Sequence, residues 1–285
     1  MDFKALFDTF NTKKILVIGD VMIDAYMMGK VHRVSPEAPV PIVSLTKQEE
    51  RLGGAANVAL NLVALGAHPI ICSCIGDDRD AEKLIELLKE ASISSEGIVR
   101  SNHRMTTVKT RVLGNHQHLL RIDSEQTNPI SKSEEVLILL KVEALIEKGI
   151  DAIIFEDYNK GVLTPTLIAT IIELAKKHSI FTTVDPKKDN FFEYKGVTLF
   201  KPNLKELKEG LKVEFPDTNI PAFEEAVTLD PAYAPTYYEL FYYWYFRDVN
   251  KAAGYLDKFV ANTDPGDKVE YLQTDFTYAK GDFAG

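Results

Sequence analysis

The 285-residue chain holds only two cysteines and one tryptophan. No run in it approaches the ~18 uninterrupted apolar residues that a membrane-spanning helix needs. Cys72 and Cys74 lie in an apolar stretch; one residue apart on a strand, they are expected on opposite faces. That argues against a disulfide or a shared metal and for a reducing compartment. Basic charge is also short, with 33 Lys and Arg against 42 Asp and Glu and a net charge of -9. An acidic chain without a long basic run suits neither nucleic acid nor an anionic membrane, so neither is expected as a partner. The segment Met1 to Asp8 has no apolar core of a signal peptide, and a cytoplasmic location is expected. What remains is ordinary: 45% hydrophobic and 26% charged residues exclude a disordered or collagen-like chain.

Up to about residue 212 the pattern alternates between strand-like and helix-like segments. Ile15 to Asp20 is a short apolar run closing in turn chemistry, as buried parallel strands do. Ala55 to Leu65 is helical, with Ala55, Val58, Ala59, Leu62 and Val63 on one face and Gly66 as the stop. Strands are expected at Pro69–Ile75, Thr107–Leu113, His118–Ile122, Ala152–Phe155, Phe181–Val184 and Val197–Phe200. Helices are expected at Asp80–Glu90, Glu134–Lys148 and Pro165–Lys177, and from Leu204 onward. This order predicts an α/β fold, a mostly parallel sheet with helices on both faces.

Several segments carry chemistry. Arg51-Leu52-Gly53-Gly54-Ala55-Ala56-Asn57-Val58-Ala59 sets paired glycines before an amphipathic helix, which suits either close approach to a ligand or a tightly packed helix cap. Asp24 reads as a carboxylate at a strand end, or as a turn aspartate. Lys109 and Arg111 alternate along one strand and face the same way. Asp157 and Lys160 follow another strand and precede Gly161, where α/β sheets place ligands. Asn203 and Glu206 stand one helical turn apart, as a ligand pair or as a capping Asn with a surface Glu. There is no G-x-x-x-x-G-K-[ST] and no G-x-G-x-x-G, which excludes those two phosphate loops.

The Gly53-Gly54 segment resembles the first signature of the ribokinase-like (PfkB) carbohydrate kinases. Six further stretches resemble the D-glycero-β-D-manno-heptose 7-phosphate kinases in order: Gly19–Asp24, Arg33–Pro41, Thr107–Val112, Asp157–Pro165, Val184–Lys187 and Lys201–Leu207. The resemblance implies transfer of a phosphoryl group from ATP, with Mg2+, to the anomeric hydroxyl of a heptose 7-phosphate, a step toward ADP-heptose for lipopolysaccharide. It implies sugar-phosphate contacts from Asp24, Gly53, Gly54, Asn57, Lys109, Arg111, Asp157 and Lys160, with Arg33 and Arg104 as further cations. It implies nucleotide contacts from Lys187, Asn203, Leu204, Lys205 and Glu206, with Glu206 reaching Mg2+ through water. A homodimer is common among such kinases.

The second signature of these kinases, a G-A-G-D segment with the catalytic base and anion hole, does not occur among the 285 residues. Gly266-Asp267 and Gly281-Asp282 lack its context, so the catalytic base is unassigned and impaired turnover is expected. A non-catalytic sugar-phosphate binder, or a protein-interaction module, are the alternatives. The texture changes after Phe215, where tyrosines crowd and Leu229-Asp230-Pro231 is echoed by Thr263-Asp264-Pro265 at a spacing of 34 residues. That is the tetratricopeptide period. The expected division is therefore a kinase-like domain over 1–214, incomplete at its C-terminal side, and a tetratricopeptide-like helical segment over 215–285 that could take a protein partner. In that segment Ala222–Pro231, Tyr237–Phe246, Lys251–Asn262 and Tyr271–Ala279 are the expected helices, and Phe241 stands where the repeat usually has Gly.

Overall fold

Leu16, Val17 and Ile18 are apolar without alternation, and the computed structural model shows why: the strand they form is buried on both faces. The structure describes residues 3–115, 117–212, 224, 228, 231, 234–245, 247–263 and 276. Strands β1 (Lys14–Gly19), β4 (His68–Gly76), β5 (Ser94–Ser101), β8 (Ala152–Glu156), β9 (Phe181–Asp185) and β10 (Leu199–Phe200) make a six-stranded sheet. Their order is β10-β9-β8-β1-β4-β5, with every neighbouring pair parallel.

Successive residues of β1 feed different cores. Val17 packs with α2 (Ala55–Ala64) and α3 (Arg79–Glu90) through Ala55, Ala59, Leu84 and Leu88. Leu16 and Ile18 pack with α4 (Lys132–Glu147) and α5 (Pro165–Lys177) through Ile138, Val142, Leu167 and Ile171. The helices begin where local chemistry stops the preceding loop. The Asp78 carboxylate accepts from Ala81 N–H, Ser131 and Glu134 form a reciprocal capping box, and Thr164 caps a helix that opens on Pro165. Cys72 and Cys74 correct the expectation of opposite faces. Two positions apart, they share a face, and both thiols lie free in the α4–α5 core. Burial pushes each thiol up to about 12, so both stay protonated.

A second sheet was not expected. β2 (Val21–Val34), β3 (Pro41–Gly54), β6 (Val108–Gly114) and β7 (Gln117–Ser124) form it in the order β3-β2-β6-β7. The β2–β3 and β6–β7 pairs are antiparallel and β2–β6 is parallel. The Ser35 to Pro41 stretch is the connection of the β2–β3 pair and the first residue of β3. β2 is amphipathic with period two: Ile23 and Ala25 are buried, whereas Asp24 and Tyr26 are half-buried on the other face. Asp24 therefore lies inside a strand, opposite Arg51 and Lys109, and not at a strand end.

The two sheets meet at Asp20, between β1 and β2. Its carboxylate accepts from the N–H groups of Tyr158 (3.0 Å), Lys160 (3.0 Å) and Val162 (3.1 Å). Burial pushes this carboxyl up; the three N–H groups pull against burial, and the net shift is upward. The Asp20 carbonyl accepts from Ala55 N–H at 3.0 Å, which fixes the start of α2. Gly54 makes that approach possible: its φ is 58°, and a Cβ there would sit 2.3 Å from the Asp20 carbonyl oxygen.

α1 (Phe3–Phe10) precedes β1, and α6 (Leu204–Leu211) follows β10. The chain divides into two compact units, 1–212 and 213–285. In the second, α7 (Ala234–Tyr245) and α8 (Val249–Ala261) pack as a helix pair around Tyr237, Phe241, Ala252, Leu256, Phe259 and Phe276. Phe241 is buried in this cluster, with the Tyr245 and Phe276 ring centres 5.3 and 5.4 Å from its own, so the bulky residue is accommodated. The helix expected at Ala222–Pro231 and the one expected from Tyr271 fall, apart from single positions, outside the described residues.

Asp20→Ala would leave three buried N–H donors without an acceptor. It is expected to destabilise the first unit by about 3 kcal/mol or more, read by urea denaturation. A change below about 1 kcal/mol would mean that the loop does not depend on this carboxylate.

Candidate functional site

The charged face of the second sheet carries the residues singled out from the sequence. Directly opposed residues share a face, so register alone groups Asp24 with Arg51, Lys109 and Asp123, and groups Tyr26 with Glu49, Arg111 and Arg121. Arg111 Nη1 lies 2.5 Å from Asp24 Oδ1. The Arg51 and Arg111 guanidiniums lie 5.0 and 5.2 Å from the centre of the Tyr26 ring. Gly53 closes the same face, because a Cβ there would stand 2.5 Å from Asp24 Oδ2. Asn57 is exposed in the first turn of α2, and that helix has no side-chain N-cap. Asp24 and Gly53 thus stand side by side on the strand face, and Gly54 and Asn57 belong to the start of α2 that follows directly.

The loop after β8 brings Lys160 to this face. Lys160 Nζ is 2.6 Å from Glu125 Oε1, and Lys109 Nζ is 3.4 Å from Glu125 Oε2 and 3.9 Å from Asp123 Oδ2. Arg104 Nη2 donates to the Lys160 carbonyl at 2.6 Å. Burial pushes the Glu125 carboxyl up, but the Lys160 hydrogen bond and the two ammonium charges outweigh it and hold the group low. Asp157 is differently placed. It is buried, and its oxygens accept from Tyr194 Oη (2.7 Å), Asn190 Nδ2 (2.9 Å) and Asn159 N–H (2.8 Å), so it organises the loop. Arg33 sits exposed near the far end of β2.

A second cluster stands over the C-terminal ends of β8 and β9. Lys187 pairs with Glu206 and lies 5.6 Å from the Tyr158 ring centre. Glu206 and Asn203 form a reciprocal capping box, each side chain accepting from the other's backbone N–H at 2.9 Å. Burial pushes Glu206 up, and the bonds from Lys187 and Asn203 N–H outweigh it, so the carboxyl stays low. Leu204 and Lys205 are exposed, and Lys205 faces Glu209 at 3.8 Å, so neither joins the cluster. Both Glu206 oxygens are engaged by protein donors, and no group of three metal-binding side chains stands ready among the described residues. The donor set fits a cation that arrives with a nucleotide's phosphates and keeps its waters, not one held by the protein alone.

Four contributors were not singled out as site residues from the sequence: Tyr26, Glu125, Glu156 and Arg51, the last named only as the first residue of the Gly53-Gly54 segment. The alternation of Ile23, Asp24, Ala25 and Tyr26 could have revealed a strand with Asp24 and Tyr26 on one face. Nothing local marks Glu125. Glu156 ends β8, buried beside the Lys187 cluster. Burial and the nearby Asp185 charge push its carboxyl up to about 7.

Residues 12–228 match the sequence pattern described as pfkB family carbohydrate kinase. Among curated proteins, the chain is 40% identical over 203 residues to the bifunctional protein HldE of Wolinella succinogenes, covering 71% of this chain and 43% of that protein. It is 42% identical over 209 residues to the HldE protein of Pelobacter propionicus, covering 72% and 43%. The chain thus spans less than half the length of these curated relatives. Among solved structures, a carbohydrate kinase from Agrobacterium tumefaciens superposes with a TM-score of 0.53 at 20% identity, over 70% of this chain and 64% of that one. Arabidopsis thaliana ribokinase complexed with ribose and ATP gives 0.53 at 14% identity, over 76% and 68%. At these identities the structural likeness concerns the fold, a ribokinase-like α/β architecture.

Glu156 supplies a pH test. Its folded-state value of about 7 lies above the ordinary 4.5, so the folded protein holds this proton more tightly than the unfolded chain does. Stability from this group is present at low pH and is lost as pH rises through about 7. Glu156→Gln is therefore expected to stabilise the protein by about 2 kcal/mol more at pH 8 than at pH 5, measured by chemical denaturation. Equal effects at the two pH values would contradict the assignment.

Proposed function

The chain belongs to the pfkB family of carbohydrate kinases, and we propose that its cleft takes a heptose 7-phosphate as the acceptor of a phosphoryl group from ATP. The observation that carries this reading is the convergence of one carboxylate, Asp24, and three cations, Lys109, Arg111 and Lys160, on a single sheet face beside the Gly53-Gly54 turn. Asp24 would accept from sugar hydroxyls, with Gly53 allowing the ring close and Asn57 contacting it from α2. The cations would hold the sugar's phosphate. Each of these cations faces a carboxylate, so the substrate's anion would exchange partners with groups already in place. Likeness to the HldE proteins supports a heptose over other sugars, and with it a step toward ADP-heptose in the cytoplasm.

Lys187 and the Asn203–Glu206 cap would face the nucleotide phosphates. ATP with Mg2+ supplies the transferred phosphoryl group and neutralises its charge; Glu206 would reach that ion through water. The catalytic base remains unassigned, because no G-A-G-D segment occurs in the sequence. Impaired turnover of this chain belongs to the proposal. The α7–α8 hairpin, with its aromatic core and the 34-residue spacing from Pro231 to Pro265, supports reading the second unit as tetratricopeptide-like.

Titration calorimetry with D-glycero-β-D-manno-heptose 7-phosphate tests the reading. Binding by the native chain, and affinity about tenfold or more weaker in Asp24→Asn, are the expected results. Absence of binding would end the heptose assignment. Turnover with ATP and Mg2+ is expected at least about a hundredfold below the 1–100 per second usual for kinases. Rates within that usual range would show that the chain is not impaired.

A further inference from the structure

Two of the cations come from separate parts of the fold. Lys109 is on β6 in the second sheet, and Lys160 is in the loop that follows β8 in the first. Left to themselves, two ammonium groups at one place repel. What brings them together is Glu125, the residue immediately after β7, whose two oxygens face one lysine each at 2.6 and 3.4 Å. We propose that Glu125 is a positioning residue that holds Lys109 and Lys160 as a preformed pair for the phosphate of the sugar substrate. The proposal rests on the sugar-phosphate reading and adds to it how the phosphate subsite is assembled.

Three observations carry it. All three side chains are largely buried, at 16–19% exposure, so the pairing is not a solvated surface contact. Oε2 is shut off from solvent and accepts no aligned hydrogen bond, although Lys109 stands 3.4 Å away. That oxygen is turned inward, and the trio as a whole carries a net positive charge. Lys109 also has Asp123 at 3.9 Å, directly opposite it on β7, whereas among the described residues Lys160 has Glu125 as its carboxylate partner. Without Glu125, Lys109 would relax toward Asp123 and Lys160 toward solvent. The pair would come apart even though each lysine remains.

The role predicts a separation that a merely structural residue would not give. In Glu125→Gln, affinity for D-glycero-β-D-manno-heptose 7-phosphate should fall about tenfold or more, while affinity for the unphosphorylated heptose stays within about twofold, both measured by calorimetry on the full chain. A second readout needs no ligand. With Glu125 gone the two lysines lose the contact that holds them against the protein and become more accessible, so acylation of Lys109 and Lys160, followed by mass spectrometry, should quicken about tenfold at both positions and not at exposed lysines such as Lys205. If Glu125→Gln does not fold, Glu125→Asp, which withdraws the charge by one methylene, carries the same expectations at smaller amplitude. Equal loss for both sugars, or unchanged acylation at the two lysines, would overturn the proposal. If the native chain binds no heptose 7-phosphate, the substrate reading fails, while the acylation pattern still decides whether Glu125 positions the pair.

Discussion

Asp20 sits where four stretches of backbone meet. Its N–H donates to the Glu156 carbonyl at 3.2 Å, its carbonyl takes the first N–H of α2, and its carboxylate holds the loop after β8. Each of these attachments places a piece of the cleft. The loop brings Lys160, the start of α2 fixes Gly53, Gly54 and Asn57, and the chain leaving Asp20 becomes β2 with Asp24 four residues on. A carboxylate this buried is costly by itself, and the backbone donors are what offset the cost. The same arithmetic explains why the loop is well determined despite its length: three of its N–H groups end on one side chain, and Asp157, pinned by Tyr194 and Asn190, fixes the rest.

The first sheet, apart from β5, was legible because both its faces are covered. Residues such as Leu16 to Ile18 must then be apolar at every position, and a short apolar run ending in Gly-Asp says so directly. Of the second sheet, β6 and β7 were expected as strands, and β2 and β3 were not. β2 and β3 run through Met28-Gly29-Lys30 and Lys47-Gln48-Glu49, with irregular register at Met28/Gly29, and much of that length is exposed. A half-exposed sheet face needs no apolar signal, so these strands read as loop. For this reason Asp24 was expected at a strand end, whereas it lies inside β2.

The site was legible in its residue types more than in its pairings. Lys109 and Arg111 share a face as the two-residue period requires, and Gly53-Gly54 stands against the carboxylate and carbonyl that a side chain would obstruct. Their partners were hidden, because Glu125 is one acidic residue among 42 and becomes informative only when two lysines arrive at it. Asn203 and Glu206 show the opposite case. Their spacing admitted a ligand pair or a helix cap, and the geometry satisfies the cap in full while leaving Lys187 on Glu206. The two readings coexist, since a capped helix N-terminus with a lysine beside it is also a place for phosphate.

Charge balance separates the two ends of the cleft. On the second-sheet face Arg111 is matched by Asp24, and Lys109 and Lys160 share Glu125, a trio with a net positive charge. At the strand ends Glu156, Asp185 and Glu206 gather around Lys187 and Lys201, and Glu156, pushed up to about 7 by burial first and by the Asp185 charge second, holds its proton near neutrality. With Glu156 protonated, Asp185 and Glu206 balance Lys201 and Lys187, so the strand-end cluster is close to neutral where the trio on the second-sheet face is net positive.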